Sequence, residues 1–458
     1  MPIFGAMLPP PFERQMLEIL GPDEYRAFLS ALSEPPLVSI RYKITTSEQL
    51  YLQSDTVPWH PNGRYLPERP VFTLDPLFHA GAYYVQEASS MFLHEALKQT
   101  VDFSRQLKVL DLCAAPGGKS TLIADMLGPD SLLVANEVIR SRAGILRENM
   151  EKWGAPNIAV TSAEAEEFAA LEGWFDVIIT DAPCSGEGLF RKDADAIREW
   201  SPANVELCAI RQRRILAAAV EALKPGGVLV FSTCTYNRRE NEENAAWLAQ
   251  EYGLKPLKLK IPSDWGITEA ESGGYHFFPH RVRGEGLFLA VFEKKEGELP
   301  RHQVQQGFKS IKSLAKSQVP EAARWLAENT DMRFFVTPSS EIIALPAALE
   351  TEYLILDKHL KIKWFGTPIG EFKGTDFIPS HALALSSAVS PALPSIDLTR
   401  EQALLFLKKE TFDLPADLAR GWTLARFNGL NLGWMKVLPN RMNNYLPPER
   451  RIRMDIRP

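Results

Sequence analysis

Cysteine is scarce in this chain. Four occur in 458 residues, at positions 113, 184, 208 and 234, and no two stand as C-x-x-C. That count and spacing argue against both a disulfide framework and a zinc site, and free thiols suit a reducing, cytoplasmic compartment. Long apolar runs are missing as well: nothing approaches the ~18 residues that cross a membrane, so no membrane role is expected. The opening segment, Met1 to Pro11, lacks the basic-then-apolar layout of a secretory leader. Positive charge is not in excess either, and a net charge of −6 disfavours a polyanionic partner on average.

What is present is the composition of a soluble globular protein, 45% hydrophobic and 24% charged, long enough for several cores. Residues 1–100 read as a small unit with two helical patterns around Gly21-Pro22 and a strand from Leu37 to Thr45. Its Arg41, Lys43 and Arg64 read as exposed charge or as phosphate contacts. From 101 to 295 strand patterns alternate with helical ones. The predicted strands are Leu107–Leu112, Leu132–Asn136, Asn157–Val160, Asp176–Thr180, Val228–Thr233 and Gly286–Phe292, with helices starting near Gly118, Arg140 and Ala203. Such alternation implies a doubly wound parallel sheet, an α/β Rossmann-like domain. A charged linker opens a mixed α/β stretch, 296–390, and a last small unit spans 391–458. Its final segment, from Leu418, carries eight basic residues against two acidic ones, a local surface for phosphates on an acidic protein.

In open α/β sheets ligands bind beyond the carboxyl ends of the strands. The first strand ends in Asp111-Leu-Cys-Ala-Ala-Pro-Gly-Gly-Lys-Ser120, small residues running into a helix start, where backbone approaches a ligand closely. It is no phosphate-cradling loop, because the glycine required five residues before Gly118 is Cys113. The dinucleotide glycine spacing is absent too. The second strand ends in Glu137, placed to hold a ribose diol of NAD or S-adenosylmethionine. The fourth ends in Asp181-Ala-Pro-Cys184-Ser-Gly and the fifth in Ser232-Thr-Cys234-Thr. Two thiols at the ends of neighbouring strands would face one cleft. Cys208 lies on a helical face with Val205, Ile215 and Ala219 and reads as core.

These three motifs, with Phe190-Arg-Lys-Asp193, resemble the Sun family of RNA (cytosine-5) methyltransferases, and the long C-terminal extension resembles its bacterial F-type 16S ribosomal RNA branch. The resemblance implies an S-adenosylmethionine-dependent Rossmann-like domain between a small N-terminal RNA-binding unit and an α+β extension ending in a PUA-like fold. It implies Cys234 as the nucleophile that adds to cytosine C6, Cys184 as the thiol assisting product release, and Asp181, with Lys119 nearby, as the grip on the base. The cofactor would be held by the loop Cys113, Ala114, Ala115, Pro116, Gly117, Gly118, Lys119, then by Glu137, Arg142, Glu164 and Asp181. Glu164 stands where the family usually carries Asp. The expected partner is 16S ribosomal RNA or the small ribosomal subunit, bound by a monomer. A transfer RNA enzyme, or an assembly factor with a silent site, are the rivals; four intact motif residues, Lys119, Asp181, Cys184 and Cys234, oppose the latter.

Overall fold

The computed structural model describes residues 8–43, 54–295, 297–415, 418–439 and 441–456. Its centre is a ten-stranded sheet in which five parallel strands follow the sequence alternation. They are Lys108–Asp111, Leu132–Asn136, Ile158–Thr161, Phe175–Asp181 and Leu223–Thr233, hereafter the first to fifth strands. Runs such as Val177-Ile-Ile are buried on both faces, which is why they read as continuous apolar segments rather than alternating ones. Spatial order is third, second, first, fourth, fifth. Chain direction across the sheet therefore switches between the first and fourth strands, and a crevice opens there. The fourth and fifth strands pair with Asp181 beside Ser232. That register brings the two thiol motifs side by side.

Leu287–Glu293 pairs antiparallel to the fifth strand, and Gly274–Phe277 lies outside it. The helices begin where expected: Gly118–Met126, Arg140–Trp153, and Pro202–Ala222 with Ser201 as its cap. Cys208 is buried on the last of these.

The two N-terminal helical patterns are two helices within Pro10–Ser33, broken at Gly21, whose φ of 75° and ψ of 168° lie outside the helical region just before Pro22. Their Phe12, Met16 and Phe28 pack with Phe190, Trp200, Tyr236 and Phe278, so this pair backs the loops that follow both thiols. Gly63–Leu66, Val38–Tyr42 and Tyr83–Val85 form a three-stranded sheet. The predicted strand extension over Ile44 and Thr45 lies outside the described residues.

The expectation for Arg41, Lys43 and Arg64 is corrected: two of them are buried and all three are occupied. Arg41 donates to Gln86, Thr121 and Asp125 and stacks on Trp153, tying the small sheet to the helix Gly118–Met126. Lys43 donates to the Trp153 carbonyl, and Arg64 to the carbonyls of Pro61 and Gly63. A buried guanidinium needs this many partners to offset its desolvation.

Residues 297–390 build a five-stranded sheet, and they also supply Ile362–Phe365, which pairs antiparallel with the third strand. Phe335, Leu345, Tyr353 and Phe365 share one core with Leu132, Val134 and Ile178. The last unit wraps four strands, Ser395–Asp397, Gly421–Phe427, Leu430–Leu438 and Arg441–Asn444, around the helix Arg400–Lys408. Arg450 anchors it to the Arg140–Trp153 helix through Glu148 and Glu151. Part of the C-terminal positive charge is thus spent on docking, and Arg457 lies outside the described residues.

Candidate active site

The site forms where the first, second, fourth and fifth strands end. Cys184 Sγ stands 3.1 Å from Cys234 Sγ, and the Cys234 backbone N–H points to Cys184 Sγ at 3.3 Å. The two loops close this tightly because Gly188 has no side chain. Its N–H donates to the Cys234 carbonyl at 2.9 Å, and a Cβ there would stand 2.7 Å from the Gly286 oxygen. The Cys184 thiol is pushed well up, first by its hydrogen bond to Cys234 and then by burial.

Two buried carboxylates hold the loops together. Glu187 accepts from the Tyr236 and Asn237 backbone N–H groups, from Trp200 Nε1, and from Gln15 of the N-terminal helix. Glu240 accepts from the Ser185 N–H, Gln212 and Asn237, and burial raises its pKa. Each carboxylate joins the segment after Cys184 to the segment after Cys234.

Beside the sulfurs, Lys119 Nζ pairs with Asp181 Oδ2 at 2.8 Å, while Ser232 Oγ donates to Asp181 Oδ1 at 2.8 Å. Burial pulls the Lys119 pKa down, but the charges of Asp181 and Asp111 outweigh it and the net shift is upward. The ammonium stays charged. Beneath the loop, Asp111 is fully buried, accepts from Ser120 Oγ at 2.6 Å, and among the described residues leaves Oδ1 without a partner. Burial pushes it up to about 7.

Two clefts meet at this point. One, of ≈ 680 Å³, runs past Glu137, Ile139, Arg142 and Glu164 to Asp181 and both thiols. The other, of ≈ 490 Å³, holds Gln86, Lys119, Lys192 and Glu285. Cys113, Ala115, Asp181, Leu189 and Cys234 border both. A group held in one cleft can therefore meet a group held in the other, at the Cys234 sulfur.

The structure gathers most of the residues singled out in the sequence and sorts them. Ala114, Pro116, Gly118 and Lys119 line the ≈ 490 Å³ cleft rather than the larger one. Gly117 faces away, its φ of 115° turning it toward Leu146 and Met150. Glu137 accepts from the Ile139 N–H and lies 3.5 Å from Arg142, whose guanidinium also donates to the Ala115 carbonyl. Arg142 thereby ties the loop to the second strand's end. Glu164 sits on the rim, with a 60% exposed side chain near Arg214, and caps the turn Ala165–Leu171. Sequence reasoning misses Glu187 and Glu240, and gives no role to Ser232 within the motif that contains it. The visible signal is an acid amid small residues, Ser185-Gly-Glu-Gly, directly after a reactive motif.

Comparison with known proteins decides the class. The family described as 16S rRNA methyltransferase RsmB/F matches residues 99–293, the N-terminal domain of 16S rRNA methyltransferase RsmF matches 8–88, and the methyltransferase RsmF PUA domain matches 393–452. Ribosomal RNA small subunit methyltransferase F of Shewanella loihica is 31% identical over 95% of this chain and 92% of its own. This chain belongs to that family. The Erwinia tasmaniensis protein of the same name is also 31% identical, over 97% of each chain. A methyltransferase homolog from Pyrococcus horikoshii is 28% identical, with a TM-score of 0.52 over 62% of this chain and 94% of that one. NSun6 from Pyrococcus horikoshii, solved with SFG, shares the fold at 20% identity, with a TM-score of 0.54 over 64% of this chain and 100% of its own.

The protein is an RNA methyltransferase with a Rossmann-like catalytic domain, and S-adenosylmethionine is its cofactor. The larger cleft fits that group. Its volume is that of a small-molecule site, and it combines an apolar wall of Val138, Ile139 and Ile215 with the carboxylates of Glu137 and Asp181. Among the described residues no helix is long and apolar enough to cross a membrane, and no cluster of residues fit to hold a metal occurs.

Proposed function

We propose that this enzyme methylates C5 of cytosine in 16S ribosomal RNA through a covalent adduct on Cys234. The observation that carries the reading is the pair of sulfurs 3.1 Å apart where the two clefts join. Cytosine C5 is a poor nucleophile, and addition of a thiolate at C6 makes it enamine-like. When bound, S-adenosylmethionine supplies an electrophilic methyl group. Everything else is asked of the protein.

Cys234 borders both clefts, so its sulfur reaches C6 of a base in the smaller cleft while C5 faces the larger one. Asp181 accepts from the cytosine amino edge, and the Lys119 ammonium stabilises negative charge as the adduct forms. Cys184, close to Cys234 and raised in pKa, first gives its own thiol proton to solvent, and the thiolate left behind is a base strong enough to take the C5 proton. Departure of the Cys234 thiolate then restores the aromatic ring. Glu137 and Arg142 would hold the cofactor's ribose side, with Glu164 at the cleft rim. A target in folded RNA has to leave its stack to enter.

The RNA reading also draws on the PUA match at residues 393–452 and on the names of the relatives. Bisulfite sequencing of small-subunit RNA from a strain lacking the gene tests the assignment. The expected result is loss of 5-methylcytosine at one or more positions. An unchanged small-subunit pattern with losses in transfer RNA would move the enzyme to the other substrate.

A further inference from the structure

A cleft of ≈ 610 Å³ opens directly beside the smaller catalytic cleft and shares Tyr84 and Val85 with it. Its floor is aromatic: the Phe72 and Phe78 ring centroids are 6.3 Å apart. Each ring carries a cation, with Lys152 Nζ 3.9 Å from the Phe78 centroid and the Arg69 guanidinium 5.5 Å from that of Phe72. Val71, 55% exposed, adds an apolar lip.

The cations are available. Among the described residues neither Arg69 nor Lys152 forms an ion pair, whereas Arg147 on the same helix as Lys152 and Arg450 close by both do. Burial and the Arg450 charge press the Lys152 ammonium down to about 8. An anion reaching this point would relieve that cost. Rings and unpaired cations together are what a single-stranded nucleotide needs, a stacking surface for its base and positive charge for its phosphate. The cleft also leads onward. Phe78, Asn149 and Lys152 border a further ≈ 270 Å³ pocket that reaches Arg450 and Leu432 of the C-terminal unit.

We propose that this cleft is the subsite for the nucleotide adjoining the target cytosine, its base displacing the two cations from the rings of Phe72 and Phe78 and its phosphate then held between Arg69 and Lys152. The RNA strand then continues past Phe78 toward the C-terminal unit. The inference rests on the ribosomal RNA reading above and extends it by naming how the substrate strand is held next to the reacting base.

The test uses the full chain with 16S ribosomal RNA, naked and as small subunits, from a strain lacking the gene. Arg69→Glu alters an exposed side chain and leaves packing intact; Lys152→Gln and the double variant complete the set. We expect the double variant to raise KM for RNA about tenfold or more with kcat nearly unchanged. The slope of log affinity against log salt should fall by about 0.7, the value for one single-strand phosphate contact. Affinity for S-adenosylmethionine, read by calorimetry, should not move. Wild-type KM and salt slope in all three variants would overturn the subsite, as would a parallel loss of cofactor affinity, which would mark a structural role. Failure of the wild-type enzyme to methylate either RNA would instead remove the ribosomal reading, and the subsite with it.

Discussion

Cys184 Sγ and Cys234 Sγ lie 3.1 Å apart although fifty positions separate them in the chain. Equivalent sulfurs would make either one the nucleophile, but their surroundings differ. Of the two, only Cys234 borders both clefts, while Cys184 borders the larger one alone. We therefore expect Cys234→Ala to form no covalent complex with RNA, and Cys184→Ala to accumulate one, seen as a retarded band on a denaturing gel. The reverse pattern would exchange the two roles.

Asp181 is the second test of the mechanism. It holds Lys119 at 2.8 Å and Ser232 at 2.8 Å, so its carboxylate is fixed before any base arrives. Replacing it by Asn removes a preorganised charge with little change of shape. Losses on the order of 10²–10³ in kcat are typical for such a group. RNA affinity should change far less. A kcat within about threefold of wild type would take Asp181 out of the chemistry.

How much of this is legible from residues alone differs between regions, for physical reasons. Strands such as Val177-Ile-Ile-Thr are readable because two-sided burial demands β-branched apolar residues. Strand-end chemistry is readable because Asp181, Cys184 and Cys234 cannot be explained as core. Arg41 misleads, since a buried arginine looks like a surface one until its partners Thr121 and Asp125 are in place some eighty positions on. Ile362–Phe365 escapes for a similar reason: joining the third strand across about two hundred residues leaves no local signal. Glu187 and Glu240 escape notice because their function is to satisfy donors contributed by other segments, and only the Ser185-Gly-Glu-Gly context of Glu187 marks either of them.

That last feature makes Glu187 a stability test. Its two oxygens receive Tyr236 N–H, Asn237 N–H, Trp200 Nε1 and Gln15 Nε2, all at 2.8–3.0 Å. Glu187→Ala would strand these donors, two of them backbone and three of them buried. At about 1–3 kcal/mol for each unsatisfied group, partly recovered by relaxation, a loss of about 3–5 kcal/mol is expected. Because the carboxylate spans both thiol loops, adduct formation should fall as well. Unchanged thermal stability would mean that water replaces the carboxylate, and the clamp would lose its importance.

Asp111 supplies a pH dependence whose sign follows from its burial. Its pKa is pushed up to about 7 from an ordinary 3.8, because burial outweighs the help of Ser120 and Lys119. Between those values the folded chain keeps a proton that the unfolded chain releases, so this group's contribution to stability is full at low pH and is lost as pH rises toward 7. Above that point both states are ionised and the buried charge remains a cost. An asparagine at 111 keeps an acceptor for Ser120 and has no proton to lose. Relative to wild type, Asp111→Asn should therefore gain stability steadily from about pH 4 to about pH 7 and level off beyond, by about 4 kcal/mol at most. Thermal melts of the two full-length chains across this range give the answer. Parallel curves would show that the carboxylate is charged throughout, with Lys119 rather than burial setting its state.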